Sequence, residues 1–467
     1  MFSFSPFRDG PEFEERKRTP FSPPKISLSD VRAAVPKHLF QKDTVKGCLY
    51  VSRDVLCAVI VYKLGWLIDT SSYAVVEAFG VSVAAACVAK WTLWLCYWYA
   101  QGIILAGWWC MAHEATCCRS HLTSIWINHV VGFALHSFLF TPFYAWRASH
   151  HAHHKATMSV ERDENYVPRT RKDFHLPAES AAKLPDYHDI FNDAPLYSLF
   201  RILIMQLFGW PLYLFTNVSG SPRHPRGTNH FLPSSALFTA RQQKYILLSD
   251  AGIGAMGCAL YLWTRHVGFA NFVKLYFVPF MCVNHWIVML TYLHHCDPTI
   301  PYFRRTQWSF LRGAVSTVDR PLLGWAGRFF LHNVSHDHVS HHLFSSIPFY
   351  NQPLVTEHIK TVLKQNYNYD STNSFRALYR TFTQCCFIED DGDIVFYKNK
   401  HGEAARSLAD DAVTIYAVFA GTCALIHCTV SALAFSSGSS VPSCHEFEAG
   451  TGTCGGYSES AAMARYV

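Results

Sequence analysis

Long apolar stretches constrain this chain more than any other feature of its sequence. The longest covers residues 73–111, and shorter ones cover 55–67, 130–146, 196–215, 245–263 and 268–293. About 20 apolar residues cross a bilayer as a helix, so 73–111 is long enough for two crossings and 55–67 is short for one. Half of the 467 residues are hydrophobic and 16% are charged. The sequence therefore predicts an all-α membrane protein and excludes a disordered chain.

Charge and cysteine usage exclude further classes of protein. The formal net charge of +6 is spread over 40 basic and 34 acidic residues without a basic stripe, so no nucleic acid is expected as a partner. The 16 cysteines occur as singles and adjacent pairs, which is typical of reduced thiols in a cytosolic or membrane setting. The first 24 residues lack the apolar segment of a signal peptide, so we expect a cytosolic N-terminus.

Composition divides the chain into three parts. Residues 1–45 are predicted to be a cytosolic arm, disordered up to about residue 26 and then forming a short amphipathic helix over 27–35. Residues 46–400 form the membrane domain. Residues 401–467 are an atypical tail, in which 412–435 is apolar and long enough for one more transmembrane segment.

Histidine spacing gives the first indication of chemistry, because the chain has 26 histidines and two of its histidine-rich segments repeat one pattern. His-x-x-His-His occurs as His150, His153 and His154, and again as His338, His341 and His342. Residues at i, i+3 and i+4 share one face of a helix, so each triplet presents its imidazoles to a common centre. Neutral imidazole is a good ligand for iron or zinc. We therefore interpret both triplets as metal ligands and not as solvated surface histidines.

Three further histidines are candidate ligands. His113 precedes Glu114 at the end of a predicted span, and His295 ends another apolar stretch. One turn after His113 stands Cys117, and the next histidine is His121. Eight residues of helix cover about 12 Å, so His121 reaches the same metal as His113 only if the helix ends between them.

The number of candidate histidines indicates two metal ions. A structural zinc takes four ligands and a catalytic zinc takes three, so seven to nine imidazoles are too many for one ion. Zinc has no redox chemistry, whereas a pair of iron ions activates dioxygen with electrons supplied from outside. A metal pair beside a bilayer indicates a long-chain lipid substrate with saturated C–H bonds.

Membrane topology follows from the shared metal site, because its ligands must lie on one side of the membrane. An even number of crossings therefore separates the histidine regions. The stretch 130–146, which Pro142 breaks, is predicted to be interfacial or re-entrant. The stretch 196–215 is predicted not to cross, since it contains Arg201 and Pro211, and the next two stretches then form a hairpin. This leaves about four core transmembrane helices, with the histidine regions in the cytosol.

Several segments carry a family resemblance. They are HE at 113–114, WRASHHAHHKAT at 146–157, ERDENYVPRTR at 161–171, WSFLRGAVSTVDR at 308–320, and LHNVSHDHVSHHLF at 331–344 followed by PFYNQ. Together they resemble the membrane fatty acid desaturases, specifically the delta-12 (oleate) branch of fungi and plants. The resemblance extends from about residue 28 to residue 400.

The resemblance implies four transmembrane helices under a cytosolic di-iron domain in the endoplasmic reticulum membrane. The implied reaction converts oleoyl to linoleoyl chains with dioxygen and two electrons from cytochrome b5 and its reductase. The chain has no His-Pro-Gly-Gly haem motif, so the electron donor would be a separate protein. The six histidines of the two triplets are implied iron ligands, and His295 stands where similar enzymes place an additional one.

The first histidine box departs from the family pattern His-Glu-x-x-His, because Cys117 occupies the position of its second histidine. Three interpretations stay open: His121 substitutes, Cys117 itself binds the metal, or the site is impaired. The function is accordingly open between delta-12 desaturation, another specificity such as omega-3 desaturation or hydroxylation, and an impaired lipid-binding relative. The sequence also leaves open a homodimer and the choice between phospholipid and coenzyme A as acyl carrier.

Overall fold

The computed structural model describes residues 8–80, 82–117, 124–191 and 194–410, except for a few side chains between 73 and 79 and that of residue 117. Its chain contacts separate two units, Met1–Arg18 with Pro24–Arg406, and Thr19–Pro23 with Ser407–Val467. In the second unit Phe21 and Leu408 form a parallel bridge. All elements described below belong to the first unit. The apolar segment 412–435 of the tail lies outside the described residues.

Helices make up most of the first unit. In chain order they are α1 (Pro11–Arg18), α2 (Leu28–Ala33), α3 (Thr44–Phe79), α4 (Val83–Cys117), α5 (Ile125–Phe138), α6 (Phe143–His154), α7 (Leu184–Phe191), α8 (Pro195–Thr216), α9 (Gln243–Val267), α10 (Phe269–Phe272), α11 (Val278–His295), α12 (Phe310–Val315), α13 (Trp325–Phe330), α14 (His338–Leu343), α15 (Gln352–Leu363) and α16 (Ser374–Gln384). Short 3₁₀ turns cover Lys37–Phe40, Lys172–Phe174 and Lys364–Asn366, and a π-helical turn over Val273–Phe277 joins α10 to α11. Strands β1 (Tyr302–Phe303) and β2 (Ile394–Val395) pair antiparallel, with Tyr302 opposite Val395.

The two long helices α3 and α4 pack against each other and correct one prediction. The stretch 73–111 does not supply two crossings, because a left-handed Gly80 (φ +58°) ends α3 shortly before α4 begins. The predicted short stretch 55–67 instead lies inside the 36-residue α3. Within α3, the Asp69 carboxylate accepts a hydrogen bond from the Trp94 indole at 3.2 Å and pairs with Lys274.

Three helices of the described residues are long and apolar enough to cross a membrane: α8, α9 and the continuous helix Phe269–His295. The last two meet at Gly268 (φ +86°), within the segment where the sequence predicts a hairpin. The helix α8 continues through Pro211, and the Arg201 guanidinium lies over the ring of Phe382. These two residues, which argued against a span, therefore do not interrupt the helix.

The predicted interfacial stretch 130–146 divides into two elements. The 14-residue α5 ends at Phe138, and Pro142 is the N-cap of α6. Proline is tolerated at the start of a helix because its missing N–H group would have no partner within the helix there. Within the described residues, neither helix is among those long enough to span a bilayer.

The expectation of a disordered N-terminal arm is wrong for residues 11–18, which form α1. Its Phe13 and Arg16 side chains are buried, 3% and 9% exposed. The predicted helix over 27–35 corresponds to α2, in which Ser27 and Asp30 form a reciprocal capping box. These features tie the arm to the rest of the unit.

Candidate metal centre

Both histidine triplets occupy helices. In α6 they fill the final turn, where His150, His153 and His154 are 5%, 2% and 9% exposed. In α14 the triplet spans nearly the whole six-residue helix, and its members are at most 4% exposed. Burial of six imidazoles on two helices brings many polar nitrogens into a region that excludes water.

The first histidine group consists of His113 from α4, His150 and His154 from α6, and His341 from α14. Their ligand-type nitrogens all lie within 4.8 Å of one another, and the Nε2 atoms of His150 and His154 are 3.0 Å apart. The buried carboxylate of Glu114 lies beside this group, 3.4 Å from His113 Nδ1 and 3.3 Å from His341 Nδ1.

The second histidine group contains His153, His295 and His342, whose nitrogens also lie within 4.8 Å of one another. We add His338, because its Nε2 atom is 3.1 Å from Nε2 of both His295 and His342. The two groups are in direct contact, because the rings of His154 and His342 stack with centroids 4.3 Å apart.

Hydrogen bonds fix the tautomers in the second group. The Nδ1–H of His153 donates to Asp163 Oδ1 at 2.7 Å, and that of His338 donates to the Val334 carbonyl at 3.2 Å. Thr157 donates its own hydroxyl proton to the His153 carbonyl, so its oxygen accepts from His342 Nδ1–H at 3.1 Å. A neutral imidazole has one N–H, so all three Nε2 atoms face inward as bare lone pairs.

The charge state of the imidazoles agrees with this arrangement. Burial lowers the pKa of His150, His154, His338 and His342 well below the ordinary value, and it lowers the pKa of His341 to about 4. The ligand form of histidine is the neutral one. These five rings are thus neutral at physiological pH.

These donors fit bound metal. Bare lone pairs about 3 Å apart repel each other unless a cation lies between them, and metal-binding histidines commonly direct the other N–H to a carboxylate or carbonyl. The second group has this pattern at His153 and His338. Each group offers four nitrogens, so the pair of groups has enough donors for two ions.

The structure brings together eight of the nine predicted ligand histidines in these two groups, and His295 joins the second one. His121 and the side chain of Cys117 lie outside the described residues. The helix α4 runs to Cys117, so His113 lies one turn before its end.

Sequence reasoning gave no role to three residues around the groups. Asp163 lies ten residues after its partner His153, in a turn where Met158 N–H donates to its other oxygen at 3.1 Å. Thr157 is three residues beyond α6, and Glu114 had no assigned contact. The sequence around Asp163, the segment ERDEN, has neither a helical nor a strand period, so its spacing did not predict the contact with His153.

An aromatic cavity of about 240 Å³ opens onto both groups. Its wall includes His113 and His150 of the first group and His153, His295 and His338 of the second. The remaining wall is mostly apolar, from Trp109, Trp146, Met205, Gly209, Trp210, Tyr213, Val288 and Tyr292. A cavity with such a lining is suited to an apolar chain.

Comparison with known proteins identifies the family. The family model described as fatty acid desaturase matches residues 90–373. The chain belongs to the fatty acid desaturase family. All eight clustered histidines fall within the matched region, and a separate model, described as a domain of unknown function, matches residues 8–65.

Individual desaturase relatives resemble most of the chain. A delta(12) fatty acid desaturase of Mortierella alpina is 36% identical over 85% of this chain and 95% of its own length. An oleate hydroxylase of Claviceps purpurea is 35% identical over 82% of both chains, and a delta(12)-fatty-acid desaturase of Arabidopsis thaliana is 35% identical over 83% of this chain and 96% of its own. This desaturase is accordingly a membrane-associated oxidoreductase that acts on acyl lipids.

Proposed function

We propose that this chain is a delta-12 desaturase that converts oleoyl to linoleoyl chains at a di-iron centre. The observation that carries the proposal is the apolar cavity bounded by members of both histidine groups. The delta(12) desaturases of Mortierella alpina and Arabidopsis thaliana, each similar over more than four fifths of this chain, support the proposed position of the double bond. The overall reaction removes two hydrogen atoms from the acyl chain, consumes one dioxygen, two electrons and two protons, and releases two molecules of water.

The two histidine groups are the proposed iron ligands. The first group holds one ion through His113, His150, His154 and His341, and the second holds the other through His153, His295, His338 and His342. When bound, the iron pair supplies the oxidising power that removes hydrogen from an unactivated C–H bond. The chain's own contribution is to keep the imidazoles neutral, oriented and dry.

The cavity wall positions the acyl chain. Trp109 stacks on His113 with centroids 5.4 Å apart, and Trp146 stacks on His150 at 4.7 Å. Trp210 meets both indoles edge-on, 5.5 and 4.9 Å away. The three indoles form a rigid apolar surface directly against the first group. A methylene segment lying on this surface is held at a fixed distance from the imidazoles.

The shared site supports a topology with the histidines on one side of the membrane. His154 and His295 lie at one centre, so the chain between them crosses an even number of times. The helix α9 and the helix Phe269–His295 form the crossing pair. The remaining helix, α8, then stays on the histidine side, with its apolar residues Leu196 and Phe200 exposed to lipid and Trp210 in the cavity wall.

The α3–α4 pair completes four core spans, with the histidine groups on the cytosolic side of the endoplasmic reticulum membrane. Cytochrome b5 and its reductase deliver the electrons from that side. The homodimer that the sequence leaves open is tested by the mass of the detergent-solubilised particle.

Hydroxylation of oleate is the second candidate, because the oleate hydroxylase of Claviceps purpurea is as similar as the desaturases. Both reactions need the same dioxygen, electrons and acyl position, and they differ in whether a second hydrogen is removed or a hydroxyl group is added. The same cavity accommodates either reaction.

The deciding experiment is lipid analysis of a yeast that makes oleate and no linoleate while it expresses this chain. Gas chromatography with double-bond localisation is expected to find 9,12-octadecadienoate. A 12-hydroxy product in its place would favour the hydroxylase. No new product, with the protein present in the membrane fraction, would overturn both.

The departure in the first box has its own test, the substitution Cys117→His. Eight imidazoles already converge on the two groups, so we expect linoleate yield in the same yeast to stay within about twofold. A large rise would support the impaired site that the sequence leaves open.

A further inference from the structure

The N-terminal helix α1 covers a buried cluster of charges. We call residues 9–18 the clasp, and we call Arg16, Asp297, Arg320, Asp370 and Arg380 the ion cluster. Every member of the ion cluster is at most 9% exposed. One member, Asp297, follows His295 of the second histidine group by two residues.

The clasp attaches firmly to α16 and the loop before it. The Asp9 carboxylate accepts hydrogen bonds from Arg376 at 3.0 and 2.9 Å and from Arg380 at 2.8 Å. The Gly10 N–H donates to the Thr372 hydroxyl at 2.7 Å. The Arg380 guanidinium lies over the ring of Phe13, 3.5 Å from its centroid. These contacts exclude water from one side of the ion cluster.

Arg16 is the residue through which the clasp reaches the loop after α11. Its Nε–H donates to the Thr299 hydroxyl at 3.1 Å, and its Nη1 donates to the Tyr369 carbonyl at 2.5 Å. Its Nη2 lies 4.0 Å from the Asp297 carboxylate. Asp297 in turn accepts from Thr299 N–H at 2.9 Å, so the guanidinium supports a closed turn.

Arg320 connects this turn to the backbone that precedes two members of the second histidine group, His295 and His338. Its Nη2 donates to Asp297 at 2.8 Å, and its Nε donates to the Leu293 carbonyl at 2.8 Å, two residues before His295. Its backbone N–H donates to the Ser335 carbonyl at 2.9 Å, and the Ser335 hydroxyl donates back to the Arg320 carbonyl at 2.8 Å. Ser335 precedes His338 by three residues.

The ion cluster is sensitive to loss of any member. The clasp brings one acid, Asp9, and one base, Arg16, to a core in which Arg320 and Arg380 already balance Asp297 and Asp370. Removing one partner of a buried, hydrogen-bonded ion pair leaves a charge without compensation, and the surrounding backbone moves or admits water. Here the backbone that would move carries His295 and His338.

We propose that the clasp holds His295 and His338 in place, and that Arg16 is the positioning residue. The inference rests on the proposed function in one respect, that these histidines bind a metal ion. It assigns a role to part of the region that matches the domain of unknown function. The clasp itself touches neither histidine group, and it acts through Asp297 and Arg320.

The test compares Arg16→Met with Lys17→Met in the full chain, reconstituted in lipid nanodiscs. Methionine keeps an unbranched apolar stem and removes the charge, and Lys17 is an exposed residue of the same helix. Hydrogen–deuterium exchange is measured for peptides covering 293–298 and 333–339. We expect exchange there to be at least tenfold faster in Arg16→Met, unchanged in Lys17→Met, and partly restored in Arg16→Lys.

A peptide from α9 separates a directed effect from general destabilisation, because α9 is remote in sequence from the clasp and its contacts. Equal acceleration in α9 and in 293–298 would overturn the proposal, as would unchanged exchange at 293–298. The second readout is iron release to a chelator, where one of two phases is expected to become at least tenfold faster in Arg16→Met.

The two proposals fail in different ways. A wild-type protein without two iron ions would refute the di-iron centre, while the exchange of 293–298 would still decide whether the clasp positions this backbone. Conversely, two iron ions with identical release in wild type and Arg16→Met would refute the clasp and leave the di-iron centre standing.

Discussion

The Nδ1 atom of His153 lies 2.7 Å from Oδ1 of Asp163, and the two side chains are 2% and 0% exposed. This hydrogen bond keeps the His153 Nε2 lone pair directed into the second histidine group. Asp163 also accepts hydrogen bonds from the backbone N–H groups of Met158 and Asn165. The carboxylate therefore orients a proposed ligand and closes the turn after α6.

Replacing this carboxylate tests the orientation directly. We expect Asp163→Asn to lower iron affinity or activity by about 10- to 100-fold, the usual effect of removing a partner of a ligating histidine. The measurement is iron content and linoleate yield beside Asp189→Asn, which changes an exposed residue of α7. Wild-type values in Asp163→Asn would show that the hydrogen bond does not control the ligand.

Removing a ligand from each group tests the site residues. We expect His153→Ala and His341→Ala each to abolish linoleate formation while the protein stays in the membrane, since each side chain supplies one of four nitrogens to its group. The matched control is His358→Ala, which alters an exposed residue of α15. Normal turnover in either ligand variant would refute the assignment of that histidine.

Filling the cavity tests where the acyl chain binds. A Cβ atom at Gly209 would lie 3.3 Å from Val288 and 3.5 Å from Met205, so a larger side chain must project into the cavity. We expect Gly209→Leu to lower linoleate yield at least tenfold with iron content unchanged. The control Gly254→Leu places the same side chain where nothing lies within 4 Å. Full activity in Gly209→Leu would place the acyl chain elsewhere.

Acid is expected to destabilise the metal-free protein. Burial lowers the pKa of His341 to about 4 and the pKa of His150, His154, His338 and His342 well below the ordinary value. The folded protein thus binds fewer protons than the unfolded chain, and stability present above about pH 6.5 is lost as the pH falls. Each such histidine adds a slope of about 1.4 kcal/mol per pH unit.

Thermal unfolding of the metal-free protein in detergent, followed from about pH 8 to pH 5, measures this slope. Replacing His341 with phenylalanine is expected to lower this slope by roughly the contribution of one histidine, about 1.4 kcal/mol per pH unit. A melting temperature that does not change over this range would contradict the neutral, buried state of the imidazoles.

Much of the candidate site was predictable from local spacing. The i, i+3, i+4 pattern of His150, His153 and His154 depends only on the helical repeat, and α6 has that repeat. Hydropathy likewise predicted two separate helices on either side of Gly268, because one apolar stretch ends at residue 263 and the next begins at residue 268.

Contacts between distant parts of the chain had no such signal. Arg16 donates to Thr299, 283 residues further along, and a charged, proline-rich N-terminus resembles disordered sequence in composition. The end of α3 at Gly80 was missed because hydropathy alone does not register a left-handed backbone conformation at this glycine. Sequence spacing predicts which side chains share one face of a helix. The contact of Arg16 with Thr299 depends instead on which helices and loops pack against each other.

The iron content of the purified full-length protein tests the central claim most directly. After expression in iron-replete cells, we predict two iron ions per chain by mass spectrometry, with zinc well below stoichiometric amounts. One iron ion or none, in protein that is folded and membrane-extracted, would contradict a centre built from both histidine groups.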